Sequence, residues 1–105
     1  MCGDFNFDAN EQTDECKRFP ENDLDVWKAL RPNEKGYTED THINLMRLQS
    51  TKQHKQVRYD QVHYFASSEP IFVPQSIDLV GTLPFGDLWL SDHFGIVTLL
   101  KQKEK

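Results

Sequence analysis

No apolar run in this 105-residue sequence approaches the roughly 18 residues that a membrane-spanning helix needs. The first residues carry acids where a secretory leader would carry basic and apolar ones, so no membrane partner is expected. Cysteine is scarce. Cys2 and Cys16 are too few for a disulfide framework, which points to reduced thiols in an intracellular protein. Basic residues are also in deficit, with 12 Lys and Arg against 17 Asp and Glu and a net charge of −5. That argues against generic nucleic-acid binding, which rests on neutralising phosphates. Repeats, low-complexity blocks and linkers are absent, so residues 1–105 read as one small domain or a portion of one. Hydrophobic residues make up only 37% and mean hydropathy is −0.69, which suits a polar domain or a piece of a larger one. Seven Phe, three Tyr and two Trp exclude simple disorder, because disordered chains are poor in aromatics.

What charge there is lies unevenly. Residues 1–40 hold 11 acids and 5 bases, and residues 69–105 hold 5 acids and 3 bases. Between them Asp60 is the single acid beside Arg47, Lys52, Lys55 and Arg58. This basic island is either a solvated loop or a surface for a phosphate chain. Hydrophobic spacing predicts an α+β unit. MCGDFNF reads as a strand end entering a loop. ENDLDVWKALRP reads as a helix capped by Asn22 or Asp23, with Leu24, Trp27 and Leu30 on one face and Pro32 ending it. GYTEDTHI reads as extended, with Tyr37, Glu39 and Thr41 on one side and Thr38, Asp40 and His42 on the other. NLMRLQSTKQHK reads as loop, and QVRYDQVHYF as one β-branched and aromatic strand. SSEPIFVPQ reads as a connection, SIDLVGT as a short strand, LPFGDLWLSD as a loop and HFGIVTLLK as a buried final strand.

Three stretches carry candidate chemistry. In GDFN an extended backbone would put Asp4 and Asn6 on one side, pairing a carboxylate that accepts a proton or binds a metal with an amide that donates to a phosphate. The alternative is an ordinary Asx turn. In SDHFGI, Asp92 is a potential metal ligand and His93 an imidazole able to bond a phosphoryl oxygen once its other nitrogen is held by a partner. In VRYDQV, Arg58 and Asp60 share a strand face. Asp60 pairs there either with Arg58, as a structural ion pair, or with His93.

Taken in order, GDxN, RxD and SDH resemble the endonuclease/exonuclease/phosphatase superfamily, the DNase I-like enzymes. DVWKAL, GYTEDT, VRYDQV, SIDLVGT and SDHFGI further resemble the C-terminal half of its tyrosyl-DNA phosphodiesterase 2-like branch. The resemblance implies the C-terminal half of a DNase I-like α/β-sandwich of two packed β-sheets flanked by helices. It also implies hydrolysis of a phosphodiester, including DNA, with Mg²⁺ or Mn²⁺. On it, Asp4 orients or deprotonates water and Asn6 holds the scissile phosphate. Asp60 holds the His93 ring, His93 stabilises developing phosphoryl charge and Asp92 joins the metal-binding set. Thr38 and Arg58 become candidates for substrate contact. The superfamily's N-terminal half, with an Asn near the phosphate and a metal-ligating Glu, is expected in cis. Asp8 and Glu39 depart from the branch's basic and aromatic residues, placing negative charge where DNA would pass and pointing to a smaller phosphodiester or phosphomonoester.

Other readings compete. A half-domain fragment or interaction module would lack catalysis and expose a sheet face. Within the superfamily, RNA tails, phosphoinositides or sphingomyelin are alternative substrates. His42, His54 and His63 lack metal-site spacing and read as structural or solvated. Cys2 reads as a small buried residue, Trp27 as core and Trp89 as an anchor of its loop.

Overall fold

The computed structural model describes residues 1–11 and 14–103. In chain order its elements are β1 (Cys2–Asp4), a 3₁₀ turn (Asp14–Arg18), β2 (Asp23–Asp25), α1 (Val26–Leu30) and β3 (Glu39–Asp40). Then follow α2 (Met46–Thr51), β4 (Gln56–Val57), β5 (Asp60–Phe65), β6 (Phe72–Val80) and β7 (Gly95–Gln102). β5 organises the first sheet, in the order β1-β5-β2. Its first half pairs antiparallel with β1, Cys2 opposite Val62 and Asp4 opposite Asp60; its second half pairs with β2, Asp25 opposite His63. β3 pairs with β4, and β6 with β7, both antiparallel.

The two larger sheets meet around α1. Val26, Trp27 and Ile77 are buried, with Val62, Tyr64, Leu79 and Ile96 packed against them. Burying each such side chain contributes roughly 1.5–3 kcal/mol, so this small cluster is what joins β5, β6 and β7. Trp27 also donates from Nε1 to the Glu34 carbonyl at 2.8 Å, closing the turn after the helix. Gly36 allows that closure, because a Cβ there would run into the Trp27 ring and its φ is +68°.

Several expectations change in the folded chain. The helix starts at Val26, since residues 23–25 pair with β5 first and Asp25 is the cap, accepting from the Lys28 N–H at 3.4 Å. Its buried face is therefore Val26 and Trp27, while Leu24 and Leu30 are partly exposed. Thr38, Glu39, Asp40 and Thr41 are all buried, so no alternation survives there. The polar stretch after Asn44 contains α2. The long strand breaks at Arg58 and Tyr59, between β4 and β5. β6 runs through Pro74, which the edge position and a register shift between Pro74 and Ser76 accommodate. β7 is largely exposed, with Val97, Leu99 and Leu100 open to solvent. Cys2 is exposed on β1, a three-residue edge strand. Trp89 is half-buried against Phe94, ring centroids 6.4 Å apart. His63 is structural as expected, bonded to Asp23 at 2.9 Å and Gln61 at 2.8 Å and stacked on Phe19. Among the described residues no helix is long and apolar enough to cross a membrane.

Candidate active site

The site gathers at the ends of β1, β3 and β5 and in the loop before β7. At the end of β1 the backbone turns at once: Asn6 has φ +59° and its N–H donates to Asp4 Oδ1 at 2.8 Å. The extended pairing of Asp4 and Asn6 is thus not the observed geometry. The stretch is an Asx turn, which nonetheless leaves both residues exposed at the strand mouth. Directly across the ladder from Asp4 stands Asp60. Two opposed carboxylates repel, and a positive partner relieves that repulsion.

Asp60 is fixed from behind. Its N–H and that of Tyr59 both donate to Thr38 Oγ1 at 3.1 Å. The preceding Arg58, only 1% exposed, grips both Asp25 carboxylate oxygens and reaches Asn10 Oδ1 at 3.2 Å. Arg58 pairs with Asp25, not Asp60, so that ion pair is corrected. Thr38 and Arg58 were candidates for substrate contact. Both are buried and hydrogen-bonded within the scaffold. Burial opposes the charged form of Asp25, but the Arg58 hydrogen bond and charge outweigh it and hold its pKa below the usual carboxylate value.

The loop before β7 is pinned by the Asn44 side-chain amide on the Ser91 carbonyl at 2.7 Å and the Phe94 N–H on the Thr38 carbonyl at 2.6 Å. This carries His93 to Asp60, with Nδ1 2.7 Å from Oδ2. On its other side, Nε2 lies 3.3 Å from Glu39 Oε2. Burial alone would lower the His93 pKa; the Asp60 hydrogen bond and the charges of Asp60, Glu39 and Asp92 outweigh it and raise it. Two sets of donors stand within 4.8 Å of one another: Asp4, Asp60 and His93, and Glu39, Asp92 and His93. A groove of about 370 Å³, lined by Cys2, Gly3, Asp60, Phe94, Gly95 and Thr98 among others, opens beside Asp60. Asp60 is the one residue of these clusters that lines the groove; carboxylates gathered around an imidazole can hold a divalent cation, move a proton and bond a phosphoryl oxygen.

Glu39 is the residue whose place at the site was missed. Its side chain is 3% exposed, with Arg47 and Lys55 3.7 and 3.9 Å away. A buried acid needs cationic neighbours, and the basic island supplied that signal. Asp8 is half-buried, accepting the Arg58 N–H at 3.1 Å and the Asn10 N–H at 3.0 Å.

No family model matches the sequence. The chain is 34% identical over 104 residues to tyrosyl-DNA phosphodiesterase 2 of Mus musculus and 35% identical to that of Bos taurus, each match covering 95% of this chain. It spans 26% and 28% of those relatives, about a quarter of their length. Among solved structures, D. rerio TDP2 complexed with single strand DNA product superposes with a TM-score of 0.71 at 26% identity, covering 90% of this chain and 40% of that one. A humanized D. rerio TDP2 gives 0.67 at 25% identity, covering 90% and 38%. Along nearly all its length, then, the chain is a relative of tyrosyl-DNA phosphodiesterase 2 and carries a DNase I-like α/β fold.

Proposed function

We propose that this chain carries the reacting edge of a metal-dependent phosphodiesterase acting on tyrosyl-DNA-like substrates, with the rest of the domain supplied in cis. The likeness to tyrosyl-DNA phosphodiesterase 2 supports phosphodiester hydrolysis in general. One observation carries the reading: Asp60 holds His93 through Nδ1 at the point where Asp4 also converges. In this reading Asp4 takes the proton of the attacking water, and Asn6 offers its amide to the scissile phosphate. His93 donates from Nε2 to the oxygen on which charge develops, while Asp60 keeps the ring oriented. The carboxylate donors around His93 fit a hard cation, Mg²⁺ or alternatively Mn²⁺, with Asp92 as a ligand in one cluster and Asp4 in the other. Such an ion supplies charge neutralisation at the phosphoryl group.

The test is hydrolysis of bis(p-nitrophenyl) phosphate and of a 5′-phosphotyrosyl oligonucleotide, with and without Mg²⁺, by the protein as its source makes it. Asp4→Asn and His93→Ala are each expected to lower kcat by roughly 10²–10⁴-fold, the usual worth of a general acid or base. Full activity in both variants would refute the assignment.

A second reading, a non-catalytic interaction module, is favoured by the apolar side chains that the loop before β7 (Leu83, Phe85, Leu88, Leu90) and β7 itself (Val97, Leu99) leave at the surface. It predicts self-association or capture of a partner domain through that surface, measured by light scattering. A strictly monomeric chain that hydrolyses phosphodiesters would exclude it.

A further inference from the structure

We infer that Glu39, Asp92 and His93 form a site for a borderline divalent cation of the Zn²⁺ class, separate in donor type from an oxygen-bound Mg²⁺. The three donors already lie within 4.8 Å of one another. Ligand bonds of about 2.1 Å leave donors no more than about 4.2 Å apart, so closure needs only a fraction of an ångström. His93 Nε2 and Glu39 Oε2, at 3.3 Å, are already within that limit.

Two features beyond the clustering point to a ligand. Glu39 Oε1 is buried and accepts no hydrogen bond, although a desolvated carboxylate oxygen is costly to leave unfilled. The nearby cations do not fill it: Arg47 Nε is 3.7 Å away, outside hydrogen-bond range, and Lys55 Nζ is 3.9 Å from the other oxygen. Arg47 Nη1 is likewise 3.7 Å from Asp92 Oδ2, so one guanidinium sits across the two carboxylates that an ion would bridge. Second, the Asp60 contact occupies Nδ1 and directs Nε2 at Glu39, the carboxylate–histidine arrangement that orients an imidazole toward a metal. An imidazole donor favours Zn²⁺, whereas Mg²⁺ prefers oxygen.

Occupancy would take Nε2 away from a phosphoryl oxygen, so Zn²⁺ would inhibit the hydrolysis proposed above. That consequence rests on the phosphodiesterase reading; the binding itself does not. Zn²⁺ titration of the chain by calorimetry, with Asp4→Asn and Glu39→Gln as variants, tests the binding. Glu39→Gln is expected to weaken it at least tenfold more than Asp4→Asn, and Arg47→Met to tighten it by removing a competing charge. Equal losses in the two carboxylate variants, or no binding by the unsubstituted chain at 1 mM Zn²⁺ (roughly −4 kcal/mol of binding free energy), would overturn it. Should Glu39→Gln fail to fold, NMR of the unsubstituted chain decides. Zn²⁺ must shift the His93 ring resonances before those of His42 and His54, and the reverse order refutes the site. Glu39-dependent Zn²⁺ binding together with no hydrolysis by the zinc-free protein in Mg²⁺ would refute only the phosphodiesterase reading.

Discussion

Replacing Asp25 by Asn is expected to destabilise the chain by about 3 kcal/mol, because removing one partner of a buried ion pair strands the other charge. The geometry sets that size. Arg58 is 1% exposed, and both Asp25 oxygens engage its guanidinium fork, with one bond at 2.9 Å. Asn keeps one acceptor and the cap on α1 but loses the charge, which places the cost toward the lower end of the roughly 3–5 kcal/mol range. For a domain of this size each kcal/mol moves Tm by about 4–8 °C, so a drop of about 12 °C or more follows. Thermal and urea denaturation followed by circular dichroism measure it. The pair also has a pH signature. The folded pKa of Asp25 is depressed, so its contribution is fully present above the unfolded carboxylate pKa and is lost as pH falls through the folded value. Asp25→Asn should therefore flatten part of the acid limb. Adding Arg58→Met should recover much of the loss, since both charges are then gone. A loss below 1 kcal/mol for Asp25→Asn, or a double variant less stable than the single one, would refute the reasoning.

Gly36→Ala is expected to cost about 1–3 kcal/mol, through both the positive φ and the collision with Trp27; denaturation followed by Trp fluorescence reads it. Thr38→Val removes the acceptor of two backbone N–H groups and should cost about 2 kcal/mol, with faster amide exchange at Tyr59 and Asp60 as the local check. Asp60→Asn should lower the His93 pKa, since the Asp60 hydrogen bond and charge raise it; an NMR titration of the ring in chelator-containing buffer that shows no downward movement would contradict the contact. The sign for stability follows: the raised pKa stabilises the fold below the unfolded imidazole value, and that part is lost as pH rises through the folded one.

The parts of this molecule that the sequence revealed are those where residue type and role coincide. Asp4, Asp60 and His93 converge because a strand end, its opposite partner and the loop before β7 meet at one edge; the Asp60–His93 contact was implied by the family resemblance of the three motifs, while spacing alone left Arg58 as an alternative partner. The Arg58–Asp25 pair was hidden because its partners lie 33 residues apart and VRYDQV looked like an uninterrupted strand. The helix boundary moved for a similar reason: tertiary pairing of residues 23–25 with β5 outweighed the helical spacing of Leu24 and Leu30. β6 was underestimated because Pro74 marks a break by local rules, yet an edge strand with a bulge tolerates it. Glu39 was misplaced because burial of a carboxylate depends on Arg47 and Lys55 arriving from another segment, which no local pattern records.

That placement changes what the acidic composition means for a substrate. A net charge of −5 suggests a chain that repels phosphate chains, and Asp8 and Glu39 looked like local contributors to that repulsion. Glu39 is buried beneath Arg47 and Lys55, and Asp8 is half-buried with its carboxylate on the Arg58 and Asn10 backbone. Distant exposed acids matter less, since salt screens charges separated by more than about 8 Å at physiological ionic strength. Near His93 the partly exposed Arg47 and Lys55 stand among the acids Asp4, Asp60 and Asp92, with Lys55 lying over the Tyr59 ring. Charge around His93 is therefore mixed in sign, and in the reading proposed above the choice between a small phosphodiester and a DNA strand turns on Arg47 and Lys55 rather than on the net charge.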